Sequence, residues 1–262
     1  MKRHQFLKRL TILAMVVLLT GSLFAQQKQT QRQVDDPTFK GDLSAAEAYS
    51  KANDFYRGND FENALKQYQT ANEKVPGNFK VLYGLALTYK KLNLLDKALY
   101  AANDAVQSNP QYDKALNLLG NIYQEKRQFD KAYDAFKKAA VLDTNDYKPV
   151  LSMANAAYYG QDYGQAIKDY QKVMAMKLPT SKKDKVYEMM LRSYLETQQY
   201  DKVVSTYKDD EKNSRNKYSS LYYGEALYKL GKKSDALVVF EGLAKMNTPG
   251  ARQWIEKIKK EK

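Results

Sequence analysis

Residues 113–146 read DKALNLLGNIYQEKRQFDKAYDAFKKAAVLDTND, and this stretch decides the fold. Leu116, Leu119, Gly120 and Tyr123 fall at i, i+3, i+4 and i+7, the spacing of one helix face. Lys126-Arg127-Gln128 breaks that pattern. Phe129, Ala132, Phe136 and Ala139 then mark the face of a second helix. Two antiparallel helices joined by a tight turn follow. Gly120, Ala132 and Ala139 are small enough for the two backbones to approach, while Tyr123 and Phe136 fill the space towards neighbouring units. Asp143-Thr144-Asn145-Asp146 closes the unit with turn-forming polar residues.

Outward from this stretch the unit recurs. Ala64, Ala98, Ala132 and Ala166 stand 34 residues apart. Seven positions later come Ala71, Ala105, Ala139 and Val173; twelve positions before the anchor come Ala52, Ala86, Gly120 and Ala154. Helical repeats start near residues 45, 79, 113, 147, 184 and 217. The fourth step is longer, at 37 residues, and carries Leu178-Pro179-Thr180-Ser181, a turn cluster with a helix breaker. Pro76 and Pro110, one period apart, end the first two units. A fixed period of this length marks a stack of supersecondary units, each burying its face on its neighbours. The expected fold is all-α, a solenoid of about six helix–turn–helix units over residues 43–249. Thr248-Pro249 predicts an N-cap and first helical residue. In the following segment, 250–262, Trp254, Ile255 and Ile258 form one apolar stripe under a Lys-rich outer face, which suits a capping helix.

The N-terminus is a separate object. Lys2, Arg3, Lys8 and Arg9 precede an apolar run from Leu10 to Phe24, and Ala25 offers a small residue at its end. Residues 1–25 are expected to be a secretory signal cleaved after Ala25. The other reading is an uncleaved anchor, and the run is shorter than the ~20 residues of a bilayer span. Residues 26–42, QQKQTQRQVDDPTFKGD, lack apolar periodicity and read as a mobile Gln-rich linker. Export places the protein in the periplasm or cell envelope, with secretion as the other destination.

Composition removes several kinds of chemistry. There is no cysteine, and His4, the sole histidine, lies inside the expected signal. The exported chain then has no disulfide, no thiol nucleophile and no imidazole for proton transfer or metal binding. The formal charge of +13 includes the four bases of the signal; 39 basic and 30 acidic residues remain. That surplus suits either a solvated mixed surface or an anionic partner, be it a membrane surface, a wall polymer or an acidic protein. Export argues against nucleic acid. At 44% hydrophobic residues, the chain has the composition of a folded protein.

The repeats resemble the tetratricopeptide repeat. Its pattern has a small residue at position 8, an aromatic at 11, Ala at 20, an aromatic at 24, Ala at 27 and Pro near 32. Ala52, Phe55, Ala64, Tyr68, Ala71 and Pro76 match it in repeat one. Ala86, Tyr89, Ala98, Ala105 and Pro110 match it in repeat two, where Ala102 stands for the second aromatic. Gly120, Tyr123, Ala132, Phe136 and Ala139 match it in repeat three. Repeats four to six drift: Ala157 replaces the aromatic at position 11, Val203 the Ala at position 20, and Leu191 the small residue at position 8 of repeat five. Lys233 stands where Phe61, Phe129, Tyr163 and Tyr200 precede the second helix elsewhere. The resemblance implies a right-handed superhelix whose first helices line a concave groove that binds peptides or protein segments, with no catalysis of its own.

No catalytic motif interrupts this reading. Gly231-Lys232-Lys233-Ser234 lacks the earlier glycine and the preceding strand of a phosphate loop, so it reads as the turn of repeat six. Asp209-Asp210-Glu211 lacks the alternation and glycine of a calcium loop. No enzyme activity, cofactor or metal is expected. The candidate binding residues are columns. Position 2 holds Lys80, Lys114, Lys148 and Lys185, an anion-binding stripe or a solvated edge. Position 9, concave in the family, holds Asn53, Asn121 and Asn155. The family's full carboxylate clamp is absent, since position 5 carries Tyr49, Tyr83, Asn117 and Leu151 instead of Lys. Tyr49, Tyr56, Tyr83, Tyr158 and Tyr228 fall on groove-facing columns, where they either supply contact area or pack on the next repeat. The expected function is a scaffold or adaptor of the bacterial envelope that holds a protein or peptide, the lysines favouring an acidic one. The alternative is a structural protein whose basic surface adheres to an anionic polymer or membrane. Neither reading fixes the oligomeric state.

Overall fold

The computed structural model describes residues 36–209 and 217–261. The expected signal at 1–25 with His4, the linker as far as residue 35, and Asp210 and Glu211 of the acidic run lie outside the described residues.

After a 3-10 turn at Pro37–Phe39, the described residues form thirteen α-helices and no strand. They run as hairpins: α1 (Leu43–Arg57) with α2 (Phe61–Lys74), α3 (Phe79–Lys91) with α4 (Leu95–Ser108), and α5 (Asp113–Glu125) followed by α6 (Phe129–Leu142). Then come α7 (Tyr147–Tyr159) with α8 (Tyr163–Ala175), α9 (Thr180–Glu196) with α10 (Tyr200–Asp209), and α11 (Lys217–Lys229) with α12 (Lys233–Lys245). The last helix is α13 (Ala251–Lys260). The chain divides into two compact units at Ile122/Tyr123, inside α5.

In the first unit α1 packs along α2, α2 on α3, and α3 along α4. Ala52, Ala64, Ala71, Ala86, Ala98, Ala102 and Ala105 are all fully buried. Alanine at these crossings brings helix backbones together without leaving a gap. In the second unit α7 contacts both α6 and α8, and α8 continues onto α9. Its core gathers Ala166, Tyr170, Val173, Val186, Tyr187 and Leu191. Farther on, Phe240, Leu243, Ala251 and Ile258 close a second cluster under α13, with Trp254 and Ile255 against it.

The period is written in the backbone as well. Asn59, Asn93, Arg127, Gln161, Gln198 and Gly231 each have positive φ, between 57° and 76°, and each is the middle residue of the turn between the helices of its hairpin. That left-handed conformation reverses the chain in the fewest residues, and only Gly, or less readily Asn, adopts it cheaply. Asx caps start many of the helices: Asp42, Asp60, Asn78, Asp146 and Asp162 accept backbone N–H groups from the first turns of α1, α2, α3, α7 and α8.

Three local expectations are corrected. The end of the expected mobile linker is tied down, because Phe39 is fully buried and Asn78 Nδ2 donates to the Thr38 carbonyl at 2.8 Å. The turn cluster at 178–181 opens a helix: Pro179 lacks a donor to lose, and its carbonyl accepts from Lys182 N at 2.9 Å, so α9 begins at Thr180. Thr248-Pro249 does not start the last helix. Asn247 and Gly250 both take positive φ, the turn holds Thr248 and Pro249, and α13 begins at Ala251.

Candidate functional site

The first helix of each hairpin carries the expected site residues. On α1, Tyr49, Asn53 and Tyr56 are spaced i, i+4, i+7 and share a face. Asn53 Oδ1 accepts from the Tyr68 hydroxyl at 2.6 Å, and the same side chain hydrogen-bonds Tyr49. The Tyr49 ring lies 5.2 Å from Phe39 and 5.9 Å from Tyr68. Tyr56 meets Phe61 edge-on at 5.4 Å. On α3, Tyr83 meets Tyr112 edge-on at 5.3 Å, and Tyr112 in turn meets Phe79 at 4.8 Å. Tyr68 fills the space over Gly84, where an added Cβ would come within 2.3 Å of its ring. Tyr49, Tyr56, Tyr83, Tyr112 and Asn53 are half-buried, so the first unit presents an aromatic surface whose rings pack on their neighbours. Burial raises the hydroxyl pKa of Tyr49, Tyr68, Tyr83 and Tyr112, and all four stay neutral at physiological pH.

The lysine column divides. Lys80 is paired with Asp36 and Lys185 with Glu188, the latter at 3.0 Å. Lys114 and Lys148 are exposed. Burial works against the Asp36 carboxylate, but bonds from Lys80 and Thr38 outweigh it and hold its pKa below the usual carboxylate range.

In the second unit Asn155 repeats the device of Asn53, accepting from the Tyr170 hydroxyl at 2.8 Å. Asn121 is exposed, and the residue at the tyrosine register of its repeat is Phe136, which has no hydroxyl to give. Tyr158 is buried, with its ring 5.5 Å from Tyr163 and the Arg192 guanidinium 5.6 Å from its centroid. Burial pushes its hydroxyl up to about 12, against the pull of Arg192. Arg192 also hydrogen-bonds Tyr222 and stands 4.0 Å from Glu196. Burial raises the Glu225 carboxyl, with Glu196 adding to the rise and Lys229 opposing it. Tyr228 is engaged by the last helix: its hydroxyl donates to Glu261 at 2.7 Å, and its ring meets Trp254 at 5.2 Å.

Sequence reasoning missed Tyr112, Arg192 and Tyr222. Arg192 had a signal. It stands eight residues after the repeat start at 184, the register of Asn53, Asn121 and Asn155, and following that column through the 37-residue step reaches it. Tyr112 precedes the first helix of its repeat, where no column marks it. Among the described residues, no group of His, Cys, Asp and Glu side chains is arranged to hold a metal ion, and no helix is long and apolar enough to cross a membrane.

Residues 49–113 and 113–146 each match a family model described as tetratricopeptide repeat. Mouse serine/threonine-protein phosphatase 5 is 36% identical over 80 residues, which is 30% of this chain and 16% of the phosphatase. The chain therefore spans under a fifth of that relative's length. A tetratricopeptide repeat protein from Parabacteroides merdae superposes with a TM-score of 0.52 at 17% identity, covering 92% of this chain and 94% of its own. YrrB, a TPR protein with an unusual peptide-binding site, superposes with a TM-score of 0.60 at 14% identity, covering 74% of this chain and 97% of its own. At these identities the likeness establishes the fold: an all-α superhelical repeat of the tetratricopeptide kind.

Proposed function

We propose that this tetratricopeptide-repeat chain is a non-catalytic scaffold of a bacterial cell envelope that holds a protein or peptide segment on the face of its first helices. The tyrosine surface around Asn53 carries this reading. Tyr49, Tyr56, Tyr83 and Tyr112 offer large rings at low entropic cost, because their neighbours already fix them. Their hydroxyls and the Asn53 amide supply the hydrogen bonds an extended backbone needs. YrrB, with the same fold and a peptide-binding site, supports the class of partner. The exposed Lys114 and Lys148 add attraction for an acidic segment, whereas Lys80 and Lys185 are occupied by carboxylates of their own chain.

The test is affinity capture from solubilised envelope with residues 26–262, beside a Tyr56→Ala/Tyr83→Ala variant and a Lys114→Ala/Lys148→Ala variant. The scaffold reading expects a discrete protein held at moderate salt and lost from the tyrosine variant. Equal capture by all three forms would remove the tyrosine surface from the account.

A second reading, adhesion to an anionic polymer or lipid, is favoured by Lys257, Lys259 and Lys260, all exposed on α13. Its complexes would wash off as salt rises, since exposed charges are screened within about 8–10 Å at 0.1–0.15 M.

A further inference from the structure

A cavity of about 150 Å³ opens between α6, α7 and α8 in the second unit, and none of the residues assigned to partner binding above lines it. Its origin is legible in the repeat. Phe55, Tyr89, Tyr123 and Tyr194 hold position 11 in other repeats, but repeat four has Ala157 there, and Ala157 lines the cavity. The missing ring is not replaced by collapse. Phe129 and Tyr133 form the aromatic wall, and Gly160 leaves the mouth open. Tyr133 is held in place by its hydroxyl, which donates at 3.0 Å to Asp169, a fully buried carboxylate. Gln165, also on the wall, donates to the same oxygen at 2.9 Å. The walls are therefore preorganised by a buried charge whose third bond is to Lys172 at 3.1 Å.

The rim is acidic. Asp130, Asp134 and Asp162 line the cavity, and no basic residue does. Asp130 and Asp134 stand at i and i+4 on one helix, where like charges repel unless a cation lies between or beside them. Such a concentration stands out in a chain carrying +13. An adjoining depression shares Phe129, Asp130 and Gly160 and is also lined by Arg127, Lys131 and Gln128. There the Arg127 guanidinium already sits 6.0 Å from the Phe129 ring, and Gln128 Oε1 is buried without a hydrogen-bond partner.

We propose that this cavity receives an arginine side chain from a basic segment of a partner protein. The volume is about half the lower bound for small-molecule sites, and it suits one side chain. The aliphatic stem lies along Ala156 and Ala157, the planar guanidinium stacks on Tyr133, and its fork meets the aspartates. Charge complementarity selects this occupant over a neutral or acidic one. The site shares no residue with the tyrosine face and does not rest on the reading given for it.

The probes are N-acetyl-arginine amide, its neutral isostere N-acetyl-citrulline amide, and N-acetyl-lysine amide, titrated into residues 26–262 and followed by NMR at Ala156, Ala157 and Gly160. Arginine is expected to shift these signals, citrulline to leave them in place, and lysine to bind several-fold more weakly. Ala157→Tyr, which restores the ring of repeats one, two, three and five, should abolish the shifts while thermal unfolding stays cooperative. Asp134→Asn, an exposed change with no packing consequence, should weaken arginine about tenfold, the loss of one charge-assisted bond. Equal shifts from citrulline, equal binding of lysine, or unchanged arginine binding by Asp134→Asn would each overturn the assignment, the last even if Ala157→Tyr failed to fold.

Discussion

Asn53 in the first unit and Arg192 in the second stand at the same register of their repeats, and they build opposite surfaces. Around Asn53 an amide is held by the hydroxyls of Tyr49 and Tyr68, and the neighbours are rings. Around Arg192 a guanidinium lies over Tyr158, bonds Tyr222, and has Glu196 at 4.0 Å. Helix geometry delivers both side chains to the same place in the hairpin. The residue type then decides whether that place works by area and hydrogen bonds or by charge. A repeat protein can thus change its binding chemistry from one hairpin to the next without changing its fold.

The sharpest way to break this contrast is at the supports beneath it. In the second unit Asp169→Ala removes a fully buried carboxylate with three partners and leaves Tyr133 and Gln165 unsatisfied. A loss of about 3 kcal/mol in urea unfolding is expected, Lys172 being free to rehydrate. In the first unit the support is steric. Gly84→Ala drives a methyl into the Tyr68 ring and should destabilise by about 2 kcal/mol, with loss of the bond to Asn53 visible as a shift of the Tyr68 signals.

Smaller changes sharpen the contrast. Tyr68→Phe and Tyr170→Phe each delete a single hydroxyl bonded to an asparagine, and each should lose about 1 kcal/mol. A large inequality between them would mean that the two units do not share the device. Gln198→Gly relieves a positive φ of 57° in the turn of repeat five and should gain up to about 1 kcal/mol in thermal unfolding.

The smallest effect is electrostatic. Because the folded pKa of Asp36 is depressed, the Lys80–Asp36 pair stabilises above the ordinary carboxylate value, and that contribution is lost as pH falls through the lowered folded value. About 1 kcal/mol is at stake for this part-buried pair. The protection factors of the amides of residues 36–42, taken against the intrinsic exchange rate at each pH, should fall on acidification, and Asp36→Asn should make those protection factors insensitive to pH over that range.

Much of this was legible in the chain. The alanine columns fixed where hairpins cross, since only a small residue fits there, and the helices begin at or near the expected repeat starts. The groove columns placed Tyr49, Asn53 and Tyr83 on the first helices of their hairpins, where all three are half-buried. What they missed follows from the same logic: a column states where a side chain stands but not what it touches. Lys80 and Lys185 belong to the lysine column, yet their charges are met by Asp36 from 44 residues away and by Glu188 one turn on. Arg192 was hidden by the longer fourth step, and Tyr112 by lying outside any helix register.

The all-α repeat, its hairpin positions and the alanine core follow from the chain alone, because periodic burial of small residues is a local property that each unit states for itself. Which polar side chains pair with one another depends on how the helices pack. The tertiary structure joined Tyr133 to Asp169 across 36 residues and Tyr68 to Asn53 across 15, and it turned the missing ring at Ala157 into a cavity instead of a collapsed core. Those outcomes depend on the distance between side chains on different helices, which packing sets and composition does not.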